Sequence, residues 1–111
     1  MKKIVNTNNS PAPIGPYNQA VLNNNMLFIS GQIALDPISM TINNSSIKDE
    51  THQVMKNLKN ILVEAGMDFK NVVKSSIFLS DMSYFNDVNE VYGSYLETGM
   101  EPARETIAVK T

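Results

Sequence analysis

The chain has 111 residues, of which 42% are hydrophobic and 18% charged, and its formal net charge is −2. These values are typical of one small globular domain and exclude a disordered acidic tail, while the nine scattered basic residues form no continuous positive stripe for nucleic acid. With no cysteine and one histidine, the chain lacks disulfides and thiolate nucleophiles, and a metal site would be hard to build.

Targeting segments are not evident in the sequence. Polar residues 6–10 stand where a signal peptide needs an apolar run, and no apolar stretch of about 18 residues is present to span a bilayer. We therefore expect a single domain over residues 1–111, located in the cytoplasm, with neither a membrane nor a nucleic acid as its partner.

The N-terminal part predicts a strand followed by a stiff loop. Lys2 to Thr7 is a short apolar and polar mixture that is typical of an edge strand. Three prolines and a glycine in residues 11–16 exclude a helix and leave an extended loop. Tyr17 follows directly at the end of this loop.

A hairpin is predicted next. Two apolar runs, 18–22 and 26–30, flank three asparagines, which tolerate the left-handed conformations of a hairpin turn. Gly31 follows the second run, and residues 32–35 are predicted to continue that strand past a bulge.

The second half alternates helices with strands. Apolar residues recur every three or four positions from Ile47 to Ala65, with Ser46 as the N-cap and Gly66 as the stop, which predicts a helix. Alternation then predicts a strand over 72–79, a second helix from Ser83 to near Gly99, and a last strand over 106–109. This order predicts an α+β fold with both helices on one face of a mixed sheet.

Single residues leave several interpretations open. Arg104 could hold a carboxylate ligand, or it could be a surface arginine paired with Glu101 or Glu105. Tyr17 could be a ligand contact or a core aromatic. His52 lies off the apolar stripe of its helix, which favours a solvated residue over a catalytic one.

Four segments together resemble the signature of the RidA (YjgF) reactive intermediate deaminase family. They are Ile14–Tyr17, Ile29–Ile33, Val88–Tyr92 and Pro102–Arg104. The resemblance implies a chorismate-mutase-like fold, a homotrimer with sites between subunits, and no cofactor or metal. The implied activity is that of a 2-iminobutanoate/2-iminopropanoate deaminase, which hydrolyses small 2-imino acids and their enamine tautomers, such as 2-aminoacrylate, to 2-keto acids and ammonia.

The resemblance also assigns residues to the implied site. Arg104 would hold the substrate carboxylate through its planar pair of donors, and Tyr17 would contact the imine nitrogen or the attacking water. The remaining substrate-binding positions are Ser30, Gly31, Asn89 and Thr106.

Two departures from the family pattern bear on catalysis. Thr106 stands where the family has a cysteine, so no thiol can orient water there. Relatives continue through a final strand that carries a glutamate, whereas this sequence stops at Thr111. Either the protein is longer, or residues 105–109 have taken over that strand's internal position and Glu105 serves as the catalytic carboxylate. Alternative functions are a non-catalytic ligand-binding or regulatory trimer and a ribonuclease or translation inhibitor.

Overall fold

The computed structural model describes residues 2–110. Five strands and two α-helices follow one another in the order β1 (Lys3–Val5), β2 (Ala20–Asn23), β3 (Met26–Ile29), α1 (Ile47–Glu64), β4 (Lys74–Leu79), α2 (Phe85–Ser94) and β5 (Ala103–Ala108). Short 3₁₀ turns precede β4 and α2, at Phe69–Asn71 and Met82–Tyr84. No helix within the described range is long and apolar enough to cross a membrane.

The first three strands form an antiparallel sheet in the order β1-β2-β3. The hairpin between β2 and β3 turns at Asn24 and Asn25, whose φ angles are 50° and 64°. Two consecutive left-handed residues give a turn whose twist matches that of the strands, and asparagine tolerates this conformation. The predicted hairpin is confirmed. Residues 32–35 do not continue β3, although Leu35 makes an isolated bridge to Ile42.

Helix α1 covers one face of this sheet. It begins after Ser46, whose side chain accepts a hydrogen bond from the Asp49 backbone, and the chain leaves it through Gly66 at φ 73°. Ile61 is fully buried against Val5 and Ala20, and flanking aliphatic side chains extend this core. The predicted helix is therefore confirmed at both ends.

The second sheet consists of β4 and β5, which run parallel with Ser75 opposite Arg104 and Ser76 opposite Glu105. Helix α2 joins them and lies beside α1 on the same side of the molecule. It ends at Ser94, five residues before the predicted stop at Gly99. Tyr95, its C-terminal cap, shares a 2.9 Å hydrogen bond with His52 of α1. His52, which was predicted to be solvated and not catalytic, is thus half-buried and bonded to the end of α2.

The α+β class with both helices on one side is as predicted, but the strands form two sheets instead of one mixed sheet. A cleft of about 1090 Å³ separates β3 from β4, and apolar residues of α1 contribute to its lining. None of residues 103–108 lines this cleft, because β5 pairs with β4 and not with β3. The alternative in which residues 105–109 occupy an internal position of the sheet was therefore wrong.

A buried polar network fixes the loops around the first sheet. Asn57 of α1 is fully buried, and its Nδ2 donates to the carbonyls of Ile33 and Leu35. Gln19 is 2% exposed; its Oε1 accepts from the Thr7 backbone, and its Nε2 contacts three carbonyl oxygens of residues 7–11. Because these buried amides are satisfied, they hold the loop that leads to Tyr17 in one conformation.

Candidate functional site

Arg104 is held by neutral groups on the helix side of β5. Its Nη1 donates to Oδ1 of Asn89 at 2.5 Å. Its Cζ lies 5.5 Å from the centroid of the Phe85 ring and 5.3 Å from that of Tyr92. Aromatic faces attract a guanidinium through their quadrupole, but they carry no charge that would neutralise it. The side chain is therefore partly buried and fixed, while no acidic group in the described part of the chain pairs with its positive charge.

The acidic residues near Arg104 in the sequence have other partners. Glu105 pairs with Lys74, and Glu101 accepts a hydrogen bond from the Gly99 backbone. None of the ion pairs within residues 2–110 includes Arg104. A guanidinium has five N–H donors, and one of them is used by Asn89. The interpretation of Arg104 as a surface arginine paired with Glu101 or Glu105 is thus excluded for this chain, and its remaining donors suit a planar anion.

The local sequence explains how α2 builds this environment. Phe85, Asn89 and Tyr92 are spaced by four and three residues, which places them on one side of a helix. Tyr92 is fixed in turn by Ser75 of β4, since the two hydroxyl oxygens are 2.6 Å apart. The resemblance assigned Asn89 to the site but neither of the two aromatic residues. Their shared face with Asn89 was the signal that could have identified them.

Glu105 and Thr106 point to opposite faces of β5, as successive strand residues do. Glu105 accepts hydrogen bonds from Ser76 and Lys74 on the face away from Arg104, and these partners lower the pKa of its carboxyl. It is thereby a weaker base, and the structure does not bring it to Arg104 within one subunit. Thr106 shares the face of Arg104, and its Oγ1 is buried without a hydrogen-bond partner in the described part of the chain.

The other predicted residues form a second group near the hairpin. Tyr17 is 48% exposed, and its hydroxyl accepts a long 3.4 Å hydrogen bond from the Ile14 backbone. Ser30 donates to the carbonyl of Asn18 at 2.7 Å, which ties the strand end to the residue after Tyr17. A side chain at Gly31 would meet nothing within 4 Å, so the backbone there is open to a ligand. No hydrogen bond in residues 2–110 links Tyr17 to Arg104.

Comparison with known proteins decides the family. The model described as endoribonuclease L-PSP, the family of the YjgF and RidA proteins, matches residues 7–111. The chain belongs to this family. It is 44% identical to the 2-iminobutanoate/2-iminopropanoate deaminase of Mus musculus over 109 residues, which are 98% of this chain and 80% of the mouse protein. The resemblance noted in the four sequence segments is thereby confirmed.

Solved structures of the RidA/YjgF family have the same fold. The Rid-family protein YyfA of Yersinia pestis has a TM-score of 0.96 at 35% identity, with 100% of this chain and 88% of that chain covered. Escherichia coli TdcF with bound serine has a TM-score of 0.89 at 33% identity, with 96% and 85% covered. The α+β expectation therefore holds at the level of the family fold, and one structural relative contains a small amino acid.

Proposed function

We propose that the protein hydrolyses small 2-imino acids and their enamine tautomers, such as 2-iminopropanoate and 2-aminoacrylate, to 2-keto acids and ammonia. The observation that carries this proposal is the Arg104 guanidinium, which is held by Asn89 and two aromatic rings and forms no ion pair with a carboxylate of residues 2–110. The name of the mouse relative, a deaminase of 2-imino acids, supports the same reaction. The cytoplasm as its location and the absence of a cofactor remain part of the proposal.

Arg104 acts in this reaction by orienting the substrate. Two parallel hydrogen bonds from a guanidinium fix a carboxylate in one plane, and thereby fix the adjacent C=N carbon for attack. Water forms a bond to that carbon while the nitrogen takes up a proton. The resulting carbinolamine expels ammonia as its C–O bond becomes the carbonyl of the keto acid.

The remaining site residues contribute polar contacts around the reacting atoms. The Tyr17 hydroxyl donates to the imine nitrogen or accepts from the water. The Thr106 Oγ1 offers an unused hydrogen bond on the Arg104 face. Ser30 and the open backbone at Gly31 receive the small substrate side chain. Glu105 does not contribute to this site, because its carboxylate accepts a hydrogen bond from Ser76 on the other face of β5.

A homotrimer with sites between subunits accounts for the two separate groups of residues. Ile4, Val21 and Phe28 lie side by side across the first sheet, on the face that α1 does not cover, and Phe28 is 59% exposed. Phe78 and Ile107 form a similar exposed pair on the second sheet. Apolar rows of this kind mark association surfaces, and a second copy could bring Tyr17 to Arg104. Native mass spectrometry should give a trimer, which Phe28→Glu should dissociate.

A coupled assay tests the reaction. A serine or threonine dehydratase supplies the imine, and the protein should accelerate formation of ammonia and keto acid. Arg104→Ala should lower kcat/KM by about 100-fold or more, because carboxylate binding and orientation are lost together. Lys59→Ala, which removes an exposed cation from α1, is the matched control and should retain wild-type activity. Equal rates for wild type and Arg104→Ala would refute the proposed site.

A non-catalytic ligand-binding trimer is the second candidate. It is favoured by one observation, that the only acidic side chain of β5 faces away from Arg104 within the described residues. This candidate predicts that pyruvate binds in a calorimetric titration while the coupled assay shows no acceleration. The ribonuclease alternative is less compatible with a net charge of −2, because RNA binding relies on clustered basic residues.

A further inference from the structure

A hydroxyl pair beside Arg104 connects the second sheet to α2. Ser75 Oγ and Tyr92 Oη are 2.6 Å apart, and both residues are partly buried. Ser75 is the residue of β4 that lies opposite Arg104 in the strand register. The hydrogen bond therefore holds the Tyr92 ring next to the position of β5 from which Arg104 extends.

The ring that this pair fixes is one of the two next to the cation. Tyr92 has the shorter of the two ring distances to Arg104, 5.3 Å against 5.5 Å for Phe85. A cation–π contact depends on the orientation of the ring face, so a ring anchored at its hydroxyl end holds the guanidinium more firmly than a ring free to tilt. Phe85 has no hydroxyl and lacks this second anchor. Of the two rings, Tyr92 is therefore the one that fixes the direction of the free N–H groups of Arg104, beside the hydrogen bond from Arg104 to Asn89.

We propose that Tyr92, fixed by Ser75, is a positioning residue that sets the direction in which Arg104 presents its N–H donors to a substrate carboxylate. This inference rests on the proposed function, since it names what orients the anchor of that site. Tyr92 acts through Arg104 and takes no part in proton transfer. If the Ser75–Tyr92 hydrogen bond only connected β4 to α2, its loss would lower the stability of the fold and leave ligand binding unchanged.

Binding of pyruvate, a stable 2-keto acid, distinguishes these two roles. Tyr92→Phe retains the ring and loses the hydroxyl, and Ser75→Ala removes its partner. Each should raise the Kd for pyruvate roughly fivefold, the effect of losing about one hydrogen bond of positioning. The double variant should be no weaker than either single variant, because both changes remove the same interaction. Ser76→Ala, one residue along β4 and on the opposite face, should bind as wild type does.

An uncharged ligand analogue adds a readout that a structural role would not produce. Pyruvamide lacks the carboxylate, so Tyr92→Phe should not change its already weak binding. The positioning role would be overturned if Tyr92→Phe and Ser75→Ala unfold more easily but bind pyruvate with the wild-type Kd. A parallel loss of affinity for pyruvate and pyruvamide would overturn it as well.

The NMR signal of the Arg104 side chain separates failure of this inference from failure of the proposed function. In the wild-type protein the Nε–H resonance should be shifted by the ring current of Tyr92, with assignment through Arg104→Lys. Tyr92→Phe should move that resonance toward the position of a mobile arginine. If wild-type protein binds no pyruvate, the proposed function fails, while this spectrum still decides whether Tyr92 fixes Arg104. An unchanged resonance in Tyr92→Phe contradicts the inference whatever the ligand result.

Discussion

The surroundings of the first sheet and those of the second sheet differ in how far their buried polar groups are satisfied by hydrogen bonds. Around the first sheet, the amide groups of Gln19 and Asn57 are used in hydrogen bonds to neighbouring backbone atoms and, for the Asn57 oxygen, to the Gln53 side chain. Around the second sheet, Arg104 retains unused donors, and the buried Thr106 hydroxyl has no partner within residues 2–110. Polar groups that are satisfied internally stabilise a fold, whereas partly buried groups with spare capacity are available to a ligand.

The largest expected effect concerns the surroundings of the first sheet. Asn57→Ala removes the donor to the Ile33 and Leu35 carbonyls and leaves the Gln53 amide without its acceptor. We expect the free energy of unfolding to fall by about 2–4 kcal/mol, measured by chemical denaturation. Asn60→Ala, which loses an exposed bond to the Asn9 carbonyl three residues along α1, should cost less than about 1 kcal/mol. If the free energy of unfolding falls equally in the two variants, the buried network contributes no more to stability than one exposed hydrogen bond.

A change of charge around the second sheet should impair binding and leave folding intact. Asn89→Asp places a carboxylate against the guanidinium of Arg104, which then forms an internal ion pair and loses its attraction for a ligand anion. Pyruvate affinity should fall at least about tenfold by calorimetry. Asn86→Asp adds the same charge on the exposed side of α2 and should bind normally. If both variants bind equally well, Arg104 is not the anion site.

The smallest expected effect concerns Glu105, whose pKa is lowered by its hydrogen bonds to Ser76 and Lys74. A carboxyl with a lowered pKa stabilises the fold above its unfolded value of 4.5, and this stabilisation is lost as the pH falls through the folded pKa. Glu105→Gln should therefore be less stable than wild type at pH 7, and this difference should shrink as the pH is lowered below 4.5. Its deaminase rate should stay close to wild type. A large loss of deaminase activity in Glu105→Gln would instead show that Glu105 is a catalytic residue.

Local sequence patterns predicted the elements that depend on neighbouring residues. Helix α1 follows from its apolar spacing and its capping residues, and the hairpin follows from Asn24 and Asn25, which accept positive φ angles. The end of α2 was mispredicted: the helix stops at Ser94, and its cap Tyr95 contacts His52, which lies 43 residues away in the chain. Such tertiary partners can override local sequence preferences.

The site was predictable only in part for the same reason. The motif resemblance identified Arg104 and Asn89, and the structure brings these two together. It did not reveal that Ser75 and Tyr92 fix the surroundings of Arg104, because the register between β4 and β5 depends on long-range packing. The alternation of side chains along β5 could not by itself exclude Glu105 from the site, because the face of β5 that meets α2 had to be known first.

Subunit mixing tests most directly whether Arg104 of one copy and Tyr17 of another form a single site. Arg104→Ala and Tyr17→Ala should each be nearly inactive. When equal amounts are unfolded and refolded together, about a quarter of the sites in random trimers combine an intact Arg104 with an intact Tyr17. The mixture should therefore recover about a quarter of the wild-type deaminase activity. A mixture no more active than the average of its two parents would contradict the account.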